Sequence, residues 1–72
     1  MLKMKGHIKW YNNVNHYGYI IGSDNQTYFF ESLYAKNIDY HENDIVLFVP
    51  YFNNIPYAKK VKLVKVGDHY GQ

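Results

Sequence analysis

Hydrophobic residues fall at every second position over short stretches of this chain, and polar or turn-forming residues interrupt them before a helix of useful length can form. β-branched and aromatic residues in such alternating runs predict strands. Five are expected, over roughly 5–12, 16–22, 26–31, 44–51 and 56–66. Asn12-Asn13, Gly22-Ser23-Asp24-Asn25 and Asn53-Asn54 are the turn signals between them. The link from Ser32 to Asn43 is longer, and is expected to be irregular or to begin with a short helical turn. Three strands in meander, a longer link and two more strands fit an all-β, five-stranded antiparallel Greek-key barrel of the OB-fold type. The expected domain covers 1–66, with a loose tail at 67–72 that lacks apolar periodicity.

The alternation also sorts the faces. Ile8, Gly18, Ile20, Tyr28, Phe30, Val46, Phe48, Val61 and Leu63 form the expected inward set, and Lys9, Trp10, Tyr17, Tyr19, Phe29 and Glu31 the outward one. Ile8 and Trp10 share parity, so placing them on opposite faces requires a bulge or sharp bend in the first strand. Pro50 and Pro56 are expected near strand ends, where a missing donor does least harm. An outward face carrying Trp10, Tyr17, Tyr19 and Phe29 with a lysine nearby is a platform on which flat bases can stack.

Composition changes this picture in a few places. At 72 residues the chain makes one small domain, and with no cysteine it has neither disulfides nor thiolate metal sites. The four histidines, His7, His16, His41 and His69, show no helical i, i+4 pairing, so no metal and no cofactor is expected. No apolar stretch is long enough to span a membrane and no signal-peptide pattern is present, so a cytoplasmic protein without a membrane partner is expected. The net charge is only +2, and every positive side chain is a lysine. Without arginine the bidentate reading of guanine's major-groove edge is missing, which favours stacking and point charges of low sequence specificity. No phosphate loop and no Ser/His/Asp spacing argues for catalysis, so the chain is not expected to be an enzyme.

Particular motifs carry a family likeness. Gly6–Asn12 reads GHIKWYN, Asn15–Ile20 reads NHYGYI, Tyr28–Ser32 reads YFFES, and Ile55–Ala58 reads IPYA with Val61 following. These resemble, in order, the G-x-V-K-W-F-N, K-G-F-G-F-I, V-F-V-H-F and G-P-Q-A elements of the cold-shock domain family. The resemblance runs from residue 4 to about 66. It implies a five-stranded barrel that binds single-stranded RNA and DNA, acting as an RNA chaperone or a regulator of transcription or translation, often in the cold; a monomer is the default expectation. It also implies base stacking on Trp10, Tyr17, Tyr19 and Phe29, contacts from Lys9 and Asn12, an added surface at Tyr57, and a backbone contact at Ala58.

Departures from the family pattern qualify that expectation. Asn15 stands where the family has lysine, His16 where it has glycine, and Thr27 where aspartate is common. Glu31 replaces a histidine on the binding face, and Ser32 follows where an aromatic is usual; Tyr34 or Tyr40 is expected to substitute for a further family aromatic in the link. Losing a ring and a lysine while gaining a carboxylate weakens binding by an expected few kcal/mol, since each stacked base is worth about 1–3 kcal/mol. The alternative is a barrel whose tyrosine-rich face has become a protein-interaction surface with reduced nucleic-acid affinity.

Overall fold

The computed structural model describes residues 2–32 and 38–64. The expected strands form, as β1 (Met4–Asn12), β2 (Tyr17–Gly22), β3 (Thr27–Glu31), β4 (Ile45–Asn53) and β5 (Ile55–Leu63). They close into a barrel in the order β1-β2-β3-β5-β4. All pairings are antiparallel except β3 with β5, which run parallel and meet at Phe29 opposite Tyr57. This is an all-β barrel of the OB-fold type. The family aromatic sought at Tyr34, and the expected tail at 67–72, lie outside the described residues.

Turn chemistry sets the hairpins. Asn12 Oδ1 accepts the backbone N–H groups of Val14 and Asn15, each at 2.9 Å, and so organises the β1–β2 turn. In the β2–β3 turn Asn25 takes φ 66°, which asparagine tolerates, and its N–H donates to the Gly22 carbonyl. Asp24 accepts the Gln26 N–H at 3.0 Å and the Tyr28 hydroxyl at 2.6 Å. Those two hydrogen bonds hold the Asp24 carboxyl below its usual range. Burial and the neighbouring carboxylate push the Tyr28 hydroxyl up to about 12.

The core is aromatic and aliphatic: Ile8, Ile20, Tyr28, Phe30, Tyr40, Val46, Phe48 and Ala58 are buried, with Met4, Tyr11, Val61 and Leu63 packed against them. Gly18 is enclosed as expected, because a Cβ there would collide with the Trp10 carbonyl and with Tyr11. Tyr40, on the link, is buried rather than presented to a ligand. Its ring lies 5.0 Å from Tyr11 and 5.3 Å from Phe30, and burial raises its hydroxyl pKa. Tyr11 in turn hydrogen-bonds Ser32, so Ser32 is tied by its hydroxyl to a ring packed against the core.

Two irregularities break the strict alternation. The β1–β2 register shifts between Ile8 and Trp10, where the expected bulge falls. Ile8 points inward, Lys9 and Trp10 both stay outside, and Tyr11 turns back toward the core. At the same place the Ile8 backbone, registered with Ile20 of β2, hydrogen-bonds to Asn43 and Asp44 just ahead of β4. The β4–β5 register shifts between Leu47 and Val49, and across from it Lys60 takes φ 54°. Ala58 and Val61 therefore both face the core while Lys59 and Lys60 are exposed. Pro50 lies inside β4 rather than near its end. β1 pairs β4 only as far as Phe48, so a missing donor at Pro50 breaks no bond to β1.

Candidate binding face

The outward positions of the strands assemble one continuous strip of six rings. Trp10 from β1 lies 5.4 Å from Tyr17 and 6.2 Å from Tyr19 on β2. Both tyrosines touch Phe29 of β3, at 5.9 and 5.7 Å. Phe29 reaches Tyr57 of β5 at 5.9 Å, and Tyr57 reaches Tyr51 of β4 at 6.4 Å. Trp10, Tyr19 and Tyr51 remain 39%, 37% and 42% exposed, while Tyr17, Phe29 and Tyr57 are half-buried because they lie against one another. Aromatic pairs at these separations, mostly edge-on or tilted, hold each other in place while leaving faces and edges open to a ligand.

Barrel closure explains the strip. Registered pairs Trp10–Tyr19, Tyr19–Phe29, Phe29–Tyr57 and Tyr57–Tyr51 carry it from strand to strand without a gap. Tyr51 was not among the expected site residues. Its signal was present in the sequence: folding the last hairpin about Asn54 sets Tyr51 opposite Tyr57.

Charge sits at both ends. Lys9 is exposed beside Trp10 through the β1 bulge. Lys59 places its Nζ 3.9 Å from the Tyr51 ring centre, a cation–π contact that orients the ammonium over the strip. Glu31 is exposed at the end of β3, registered opposite Tyr17. Between β3 and β5, where only one residue pair is in register, a groove of about 580 Å³ opens, lined by Phe29, Glu31, Tyr57, Lys59 and Lys60 among others.

The remaining expected site residues are placed differently. Asn12 spends its Oδ1 on the turn, which leaves its amide N–H groups as its donors. Ala58 buries its side chain in the core and reaches the groove only as part of its wall. Among the described residues no group of three or more His, Cys, Asp or Glu side chains is placed to hold a metal ion. No family model matches the chain, and no curated protein matches it. Fold and face together define a small OB-like barrel with an exposed aromatic cluster suited to binding a ligand.

Proposed function

We propose that this protein binds single-stranded RNA and DNA on the six-ring strip, in the manner of a cold-shock protein, and acts as an RNA chaperone or a regulator of transcription or translation. The observation that carries the reading is the spacing of the strip. Successive rings from Trp10 through Tyr17, Phe29 and Tyr57 to Tyr51 are 5.4–6.4 Å apart. Bases stacked on each other in a helical strand advance only about 3.4 Å. A strand laid along these rings must therefore unstack its bases from one another and stack them on protein instead. That exchange excludes duplex and favours the melted form, which is what a chaperone of weak RNA structure requires.

Rings rather than charge supply most of the binding in this reading. Lys9, Lys59 and Lys60 flank the strip, and Glu31 opposes them. Three phosphate contacts give a salt slope of about −2 for a single strand. The test is titration of the emission of the single tryptophan, Trp10, with short single-stranded oligonucleotides at several salt concentrations. Quenching at low salt with a slope near that value supports the reading; unchanged emission at saturating oligonucleotide overturns it. The rival, a protein-docking surface, draws on Phe52, 62% exposed near the tip of the β4–β5 hairpin on the opposite side of β4 from Tyr51, with its ring 5.9 Å from Tyr28. It expects a defined protein partner that survives nuclease treatment, and function that survives loss of Phe29.

A further inference from the structure

We propose that Glu31 makes this face selective for guanine. The inference rests on the single-strand reading above and names the base that the groove between β3 and β5 prefers. Glu31 and Phe29 stand two residues apart on β3, so their side chains leave the same face about 7 Å apart. Tyr17 lies opposite Glu31 in register, and its ring is 5.9 Å from that of Phe29. A base stacked on these rings thus presents an edge to the carboxylate. Across the groove stand Lys59 and Lys60.

An ionised carboxylate only accepts hydrogen bonds, and an ammonium only donates them. The base that fits between them needs donors on one edge and acceptors on another. Guanine alone has two adjacent donors on its Watson–Crick edge, N1–H and the N2 amino group, which match the two oxygens of one carboxylate. Its N7 and O6 are adjacent acceptors suited to a lysine. Thymine and uracil offer Glu31 a single donor, N3–H, flanked on both sides by carbonyl oxygens that the carboxylate repels. Adenine and cytosine offer a single amino group. The arginine-free composition therefore does not make the face indifferent to sequence, because guanine is read here from its other edge.

The test compares three heptanucleotides by Trp10 fluorescence: heptathymidylate, the same strand with one central guanine, and the same strand with hypoxanthine there, which lacks only the N2 amino group. Guanine should tighten binding at least about fivefold over thymine, the lower end of what a bidentate pair contributes, and hypoxanthine should lose part of that gain. In Glu31→Gln, an exposed substitution, heptathymidylate should bind as well or better once the repulsion is gone, while the guanine preference collapses to under about twofold. Equal binding of the three strands by the native protein, or a guanine preference undiminished in Glu31→Gln, overturns the inference and leaves the single-strand reading standing. Binding of none of the strands at low salt overturns both.

Discussion

Phe29 is the junction of the strip, and its replacement by leucine separates stacking from packing. The ring lies within 6 Å of three others, at 5.9 Å from Tyr17, 5.7 Å from Tyr19 and 5.9 Å from Tyr57. Leucine keeps an apolar side chain in this half-buried position but is smaller by a few carbons, which at about 0.8 kcal/mol per fully buried carbon costs about 1–2 kcal/mol of stability. It removes the π-face. A stacked base is worth about 1–3 kcal/mol, or about 5- to 150-fold in affinity at 1.4 kcal/mol per tenfold. The loss should also divide the strip into a Trp10–Tyr17–Tyr19 part and a Tyr57–Tyr51 part. Phe29→Leu should therefore cost more than Tyr51→Leu, which removes only the end ring. The assay is Trp10 fluorescence titration with a single-stranded heptanucleotide at low salt. Phe29 does not adjoin Trp10, so the reporter stays in place, and circular dichroism checks the fold. A folded Phe29→Leu protein that binds within about twofold of the native one, far below the stacking contribution, would refute the reasoning. So would a larger loss in Tyr51→Leu.

Other outcomes test the scaffold. Gly18→Ala forces a methyl group against the Trp10 carbonyl and the Tyr11 backbone, so urea unfolding should show a loss of about 1–3 kcal/mol or more, and an unchanged midpoint would mean the β1 bulge yields easily. His16 holds φ 60°, so His16→Gly should relieve about 1–2 kcal/mol of left-handed strain and return about 0.5–1 kcal/mol of it through the looser unfolded chain, a net gain measurable by the same unfolding. Tyr28 carries a folded pKa of about 12 against an ordinary 10.0. Its contribution is complete below pH 10.0 and declines as pH rises toward about 12, because the unfolded chain ionises first. Asp24 acts in the opposite direction, stabilising above the ordinary carboxylate range and losing that contribution as acid titrates its depressed folded pKa. Thermal unfolding across both limits should show both losses, and Tyr28→Phe should flatten the alkaline one; a Tyr28→Phe profile as steep as that of the native protein would count against the assignment.

Strands, turns and most of the core were legible in the sequence because they depend on short-range rules. Alternation marks β2 and β3 directly, and the β1 bulge follows from the shared parity of Ile8 and Trp10. What escaped depends on contacts distant in sequence. Tyr40 sits in a link without periodicity, and only the packed structure sets it between Tyr11 and Phe30. Ala58, expected only to offer a backbone contact, buries its side chain because of the second bulge, at Lys60, which is invisible to a period-two reading of β5. Tyr51 was missed because its role depends on its partner Tyr57, and hence on the register of the last hairpin. Asn12 carries a second task that its place beside the aromatic strip does not reveal in the sequence: its side-chain oxygen is the acceptor that shapes its own turn.

The two bulges connect the fold to the face. In an unbroken strand a lysine and a ring on neighbouring residues point to opposite sides, so one of them is lost to the core. At Lys9–Trp10 the extra residue keeps both outside. At Lys59–Lys60 it keeps two cations outside, one of them resting on Tyr51. Each end of the ring strip thus gains charge without losing a core position, since Tyr11 and Val61 resume the inward pattern immediately afterwards. Between the ends, among the described residues, the face holds rings and one carboxylate, Glu31. Under the proposed single-strand reading, such a distribution would draw a polyanion to the two ends and leave the middle to discriminate among bases. Hence salt should weaken binding of every strand alike, while substitution at Glu31 should change their ranking.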